Sequence, residues 1–320
     1  MTSINDSIPV TVVEYVPLPS STLSSKKFSL KGALCFLLGV LAYAIANVFI
    51  KTSSAYYPLG EMVVLRGLIF LIPLFLYGII TALTHSKSLF KTSHLKIHII
   101  QGILSAFCLY FLFYAFDVMP LADATAISFA ETFILTALSV FFLKEVVPLK
   151  NWGAILIGFL GVLIITQPTA KTLPQAFHLL GACACLLAVT FDSVVLFLLR
   201  KLAKTDRTAT ILFYYALFST LGGLIFFPFE TWLPITHDHI FDILGLGLFG
   251  ALGQTCITYA FKQNQTSVLA PLIYTELLWS LVFDDLFWST LPNRFVLLGS
   301  SLIILSGLYI IQQEKKKQKD

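Results

Sequence analysis

Apolar runs of roughly 20 residues, each about long enough to span a bilayer core as a helix, follow one another along the chain with only short polar breaks. The pattern predicts helices over residues 31 to 52, 59 to 82, 97 to 117, 121 to 143, 149 to 167, 178 to 200, 208 to 229, 240 to 262, 267 to 289 and 293 to 313. Turn-forming and polar residues mark the breaks: Tyr57-Pro58, Met119-Pro120, Gln167-Pro168-Thr169, Leu233-Pro234 and Leu291-Pro292-Asn293. The runs are apolar on all sides, as expected of helices surrounded by lipid or by one another.

Composition agrees with the pattern. Hydrophobic residues make up 57% of the 320 and charged residues 12%, too few charges to cover a water-soluble globule of this size. The first 27 residues are polar, with Pro9, Pro17, Pro19 and a serine-rich stretch from Ser20 to Ser25. They lack the apolar segment of a cleaved signal and read as a cytoplasmic tail. Cys35, Cys108, Cys183, Cys185 and Cys256 all fall in apolar segments, a distribution that suggests neither a disulfide framework nor a zinc site.

Charge sets the expected orientation. With the N-terminus in the cytoplasm, seventeen of the 21 Lys and Arg residues lie on the cytoplasmic side, including Lys26, Lys27, Lys144, Lys150, Arg207 and the basic tail Lys315 to Lys319. The opposite side holds Lys51, Lys171 and Arg294 beside Asp117, Asp123, Glu230, Asp238 and Asp242. The positive-inside rule then puts both termini in the cytoplasm. The formal net charge of +4 reflects this topology and calls for no nucleic-acid partner; the partners expected are the lipid bilayer and a small-molecule substrate.

The chain also repeats itself. Glu131 and Glu276 lie 145 residues apart inside apolar runs, and at the same offset Tyr114-Ala115-Phe116 matches Tyr259-Ala260-Phe261 and Gln167 matches Gln312. At an offset of 149, Gly32-Ala33 matches Gly181-Ala182, Leu37-Leu38 matches Leu186-Leu187, and Lys51 matches Arg200. Five spans per half make the second half enter the membrane from the opposite side. The fold class expected is an all-α integral membrane protein whose ten transmembrane helices form two inverted-topology five-helix repeats, residues 31–168 and 178–313, with a basic tail over 314–320. Such repeats build alternating-access transporters.

At this level a family is recognisable. The run Met119-Pro120-Leu121-Ala122-Asp123-Ala124-Thr125-Ala126-Ile127, then Phe141-Phe142-Leu143-Lys144-Glu145 and Trp152-Gly153-Ala154 through Gly161, resembles EamA-type members of the drug/metabolite transporter superfamily. Ala270-Pro271-Leu272-Ile273-Tyr274-Thr275-Glu276 is similar to their second half. The resemblance covers residues 32 to 313 and implies a central cavity lined by the first four helices of each half, with the fifth peripheral. Two positions depart from the pattern: Glu131 stands near a common proline, and Thr290 stands where the acidic residue matched by Glu145 is often repeated.

A carboxylate near the bilayer midplane is costly unless it faces protein or water, pairs, or takes a proton, so Glu131 and Glu276 are the first candidates for a substrate site. The alternative is a glutamic acid that only bridges helices. Tyr274 and Trp279 flank Glu276 within a turn and would suit an amine or sulfonium through cation–π attraction. Arg66, inside the second span, is placed to hold a substrate carboxylate or to neutralise a glutamate; Glu61, five residues earlier, is off the favourable helical spacing. Asp192, its aligned partner Tyr43, and Asn47 one turn further on complete a candidate lining, with Tyr110 and Gln254 as further wall residues. His237-Asp238-His239 reads as a solvated loop, and Gly245, Gly250 and Gly253 as close-packing positions.

These residues suit a secondary transporter for a small cationic or zwitterionic metabolite such as an amino acid, an amine or S-adenosylmethionine. The inner (plasma) membrane of a bacterium is the expected location, and protons are a candidate coupling ion. No cofactor or metal is implied. An intramembrane enzyme and a non-transporting receptor or scaffold stand as alternatives, although the sequence has no HExxH, no protease-type aspartate pair and no phosphate loop.

Overall fold

The computed structural model describes residues 29–85, 91–131, 175–264, 269 and 272–289, with isolated residues between 134 and 164 and between 294 and 309. The predicted spans 149–167 and 293–313, the N-terminal and basic tails, and the positions of Glu145, Gln167, Thr290 and Gln312 lie wholly or largely outside them. All regular structure among the described residues is helical.

In chain order the helices are α1 (Leu30–Ser53), α2 (Leu59–His85), α3 (Leu95–Val118), α4 (Leu121–Ser128), α5 (Gln175–Thr205), α6 (Thr208–Gly223), α7 (Ile240–Gln263) and α8 (Thr275–Trp288). A 3₁₀ segment, Leu224–Phe229, extends α6, and Pro228, which has no N–H to give, lies inside it. Among the described residues, six stretches are long and apolar enough to cross a membrane: Leu30–Ser53, Leu59–Ile80, Leu95–Val118, Leu179–Thr205, Thr208–Phe229 and His237–Gln263.

The burial pattern inverts that of a soluble protein. Leu34, Ile72, Leu76, Leu187, Leu248 and Phe241 project outward, whereas Asn47, Glu61, Arg66, Gln101, Glu131 and Gln254 are buried. Outward apolar side chains are at no disadvantage in hydrocarbon, and buried polar groups then find partners only within the protein. The largest apolar cluster fills the space between α1, α3, α4 and α5 with Val48, Phe113, Phe116, Leu121, Ile127 and Val189.

Helix pairing is reciprocal. α1 packs along α7 and α3 packs along α5, while α2 packs on α6 and α4 on α8. Close approach is built in by sequence: a Cβ on Gly253 of α7 would lie 2.9 Å from the Tyr43 ring and 3.1 Å from the Gly39 carbonyl of α1.

Two of the predicted spans are interrupted. The run 121 to 143 is helical only to Ser128, turns at Phe129-Ala130 and resumes at Glu131. The run 267 to 289 has a turn at Tyr274, immediately before α8. The two turns fall at equivalent places, 145 residues apart. Ser128 Oγ donates to the Ala124 carbonyl at 2.9 Å, and Cys185 Sγ donates to the same oxygen at 3.3 Å. Serine bonding four residues back in this way bends helices. Near the second turn, Thr275 Oγ1 donates to the Leu272 carbonyl at 2.7 Å.

Each end of the bundle is tied by polar contacts. At the end where α1 begins, the Ser29 N–H donates to Asn264 Oδ1 at 2.8 Å and Asn264 Nδ2 donates to the Ser29 carbonyl at 2.9 Å. Beside them Asp206, in the turn between α5 and α6, accepts from Thr92 Oγ1 at 2.6 Å and contacts His98 Nε2 at 2.8 Å, while its carbonyl accepts from Lys262 Nζ at 2.5 Å. At the other end, the Gly60 N–H donates to Glu230 at 2.9 Å and the Leu233 N–H donates to Glu61 at 3.0 Å.

Burial raises the Asp206 carboxyl, but hydrogen bonds from Thr92, His98 and Thr205 outweigh it and hold the group below its ordinary value. A depressed folded value stabilises fully above the unfolded value of about 4 and ceases to stabilise as pH falls through the lower folded value. The thermal transition of the purified protein is therefore expected to fall in that acidic window by a step that Asp206→Asn removes. Identical acid profiles for the parent and Asp206→Asn would contradict this.

Candidate functional site

A cavity of about 160 Å³ lies among α1, α2, α3, α4, α5, α6, α7 and α8, with walls that are mostly apolar. Seven of the residues proposed from sequence line it: Tyr43, Asn47, Arg66, Glu131, Asp192, Gln254 and Glu276. Both glutamates stand just after the interruptions of their helices, so each carboxylate enters the cavity where the backbone departs from regular α-helix.

α1 supplies two of the polar contacts from successive turns. Tyr43 hydroxyl donates to Gln254 Oε1 of α7, and Asn47 Nδ2 donates to Glu276 Oε1 of α8 at 3.1 Å. Arg66 rises from α2 with 7% of its surface exposed. Its guanidinium interacts electrostatically with the hydroxyl-bearing side chains of Tyr215 of α6 and Tyr43, and its Cζ lies 5.8 Å from the Tyr43 ring centroid. Nε of Arg66 is buried without a hydrogen-bond partner among the described residues. Space for the head group comes from α7: a Cβ on Gly250 would lie 2.5 Å from that Nε.

The carboxylates form a group. Glu131 interacts electrostatically with Asp192 and Glu276, and with Arg200, which is not among the lining residues. Asp192 feels the charge of Arg66 and neighbours the Cys108 thiol. Ser193, next to Asp192, donates through Oγ to the Glu131 carbonyl at 3.4 Å. Three acidic side chains and one cationic side chain therefore share one buried space among the described residues.

The remaining proposed residues lie elsewhere. Tyr274, in the turn before α8, packs edge to face on Phe129 with centroids 5.0 Å apart. Trp279 stacks on Phe283 and is 37% exposed on the outer surface. Tyr110 stacks on Phe226 at 4.0 Å. Glu61 turns away from Arg66 to the Leu233 N–H. His239 stacks on Tyr56 at 4.0 Å, at the end of the bundle away from Asn264.

Ser105, Cys108, Thr125, Ser128 and Tyr215 also line the cavity and were not singled out by sequence. Ser105 of α3 and Tyr215 of α6 are neighbours in the cavity wall beside Arg66. A signal was present: Ser105 and Cys108 sit at i and i+3 in an otherwise apolar helix, the spacing of one face.

The sequence profile of the EamA-like transporter family matches the chain twice, over residues 30–167 and 179–312. The chain belongs to this family of transporters and is a multi-pass membrane protein. It is 24% identical over 284 residues to the pseudopaline exporter CntI of Pseudomonas aeruginosa, covering 89% of this chain and 97% of that one. It is 25% identical over 294 residues to the S-adenosylmethionine uptake transporter of Rickettsia prowazekii, covering 91% and 95%. An uncharacterized transporter of Helicobacter pylori is 28% identical over 285 residues. Among solved structures, one crystal structure superposes with a TM-score of 0.68 at 17% identity, over 90% of this chain and 99% of the other, a likeness of fold.

Proposed function

We propose that this protein carries a small cationic or zwitterionic metabolite across the inner membrane by alternating access, using one asymmetric site. The observation that carries the reading is the charge content of the cavity: Glu131, Asp192 and Glu276 against Arg66, enclosed by apolar walls. An ammonium or sulfonium group would lie against the carboxylates and the cargo's carboxylate against Arg66. Amino acids, amines and S-adenosylmethionine-like compounds have this chemistry. The name of the Rickettsia relative is in keeping with that class.

The scaffold reading is ten helices in two inverted five-helix repeats, one per family match. Support comes from the pairing of elements: if the halves are related by inversion, α1 on α7 is the counterpart of α5 on α3, and α2–α6 and α4–α8 lie on the axis. Rocking of one half against the other would open the site to each side in turn. Both termini lie in the cytoplasm on this reading, with residues 1–30 and 314–320 as its tails.

The decisive experiment is a thermal-shift screen of amino acids, amines and nucleoside metabolites on purified protein, followed by uptake of hits into proteoliposomes. Accumulation of a cation or zwitterion against its gradient supports the carrier; chemical turnover of the hit in detergent supports an enzyme instead. Release of a cation leaves an excess of carboxylates in a closed space, and proton uptake would offset their burial. Collapse of the pH gradient by an ionophore is therefore expected to reduce accumulation severalfold. Accumulation that is indifferent to the gradient would end the proton-coupled form of the proposal.

A further inference from the structure

Asp284 sits two turns beyond Glu276 on α8, is buried, and does not line the cavity. Its two carboxylate oxygens accept the first backbone N–H groups of α4, from Leu121 at 3.2 Å and Ala122 at 2.8 Å. A carboxylate there satisfies N–H groups that the helix itself leaves unpaired and lies at the positive end of its dipole. Lys51, in the last turn of α1, brings Nζ to 3.9 Å from Asp284, donates to the Met119 carbonyl at 2.9 Å and lies 4.8 Å above the Trp288 ring. One acidic side chain thus joins α8 to the start of α4 and the end of α1, across the division between the two family matches.

The same seam continues inward one turn at a time. Ser280 hydroxyl meets Thr125 hydroxyl at 2.9 Å, and Glu276 accepts from Asn47 at 3.1 Å. Positions 284, 280 and 276 of α8 face 121, 125 and 47, so one stretch of helix about 12 Å long carries both a cavity carboxylate and the carboxylate that fastens the end of the bundle. The repeat does not reproduce this. By sequence, Ser139 stands at the place equivalent to Asp284, Leu135 to Ser280, Ala270 to Thr125 and Leu196 to Asn47.

We propose that Lys51, Asp284 and the N-terminus of α4 form a latch that closes the cavity at the Lys51 end, and that α8 couples it to the cargo site through Glu276. Cargo that takes Glu276 from Asn47 loosens the inner rung of the seam and thereby the latch. The end without an equivalent of Asp284 opens and closes without this charged fastening. Asp284 and Lys51 are positioning residues and do not touch cargo. The inference rests on the alternating-access reading above.

The test is the rate at which a membrane-impermeant maleimide labels Ser128→Cys, a cavity position, in a chain whose five native cysteines are replaced. Vesicles of both orientations are compared. Asp284→Asn and Lys51→Gln are expected to raise labelling from the Lys51 face by about tenfold, the scale of losing one charge-assisted hydrogen bond, and to leave labelling from the other face unchanged or lower. A rate that does not change, or that rises equally from both faces, overturns the latch. If Asp284→Asn does not fold, Lys51→Gln alone decides, since it leaves the carboxylate on the α4 N–H groups. Labelling requires no cargo, so a failed latch with an active parent is distinguishable from a parent that transports nothing.

Discussion

Glu276→Gln is expected to abolish the thermal shift given by a cationic or zwitterionic cargo while leaving the melting point of the empty protein unchanged or higher. The amide keeps an oxygen to accept from Asn47, so the helix contact survives and only the charge is lost. Removing the charge lowers the cost of burial in the empty state. In the loaded state it leaves a desolvated cation without its partner, a loss of about 2–5 kcal/mol, or roughly 30-fold or more in affinity. Glu131→Gln is expected to behave alike, because Glu131 shares the cavity with Asp192 and Glu276. The pair separates a substrate ligand from a glutamic acid that only bridges helices, whose substitution would leave the ligand response intact. A cargo whose shift survives both substitutions would remove the proposed site.

Arg66→Ala is the substitution expected to damage the protein most. It removes the one cation among the described lining residues and leaves Asp192, Glu131 and Glu276 facing one another in apolar surroundings. It also strips Tyr43 and Tyr215 of a shared partner. Removing one member of a buried charge network costs about 3–5 kcal/mol, so thermal unfolding in detergent should begin several degrees lower and transport should be lost. Arg66→Lys is not expected to rescue, since an ammonium lacks the planar guanidinium that sits beside the Tyr43 ring. Gly250→Ala offers a milder probe from another helix, because its new Cβ would push on Nε and displace the guanidinium. It should weaken binding of cargo that carries a carboxylate more than that of the corresponding amine. Parent-like melting and transport in Arg66→Ala would refute the assignment.

Several of these residues were legible in the chain because polarity inside an apolar run is informative by itself. Glu131, Glu276, Arg66 and Asp192 each interrupt a long apolar segment, and all four line the cavity. Tyr43 was found only through its alignment with Asp192, and Asn47 through its place one turn beyond Tyr43. Trp279 shows where this reasoning ends. It lies three residues from Glu276 on the same helix, yet stacks on Phe283 toward the outside. In a helix apolar on every side, hydrophobic periodicity does not tell the lipid face from the protein face. Tyr274, proposed from its place beside Glu276, and Tyr110, proposed as a wall residue of the third helix, pack on Phe129 and Phe226 for the same reason.

By itself the sequence determined the membrane class, from apolar length and scarcity of charge, and its matched residues at nearly constant offsets are the ground on which a repeat is proposed. It also singled out the ionisable groups too costly to bury without a purpose. The tertiary structure decided which of them meet. It broke two predicted spans beside the glutamates, gave Glu276 to Asn47 and Asp284 to the start of α4, and turned Glu61 away from Arg66 toward Leu233. The physical reason is that pairing between helices distant in the chain depends on their rotation and depth. Those are set by side-chain packing and by small residues such as Gly250 and Gly253, and they leave no periodic trace in a segment apolar all round.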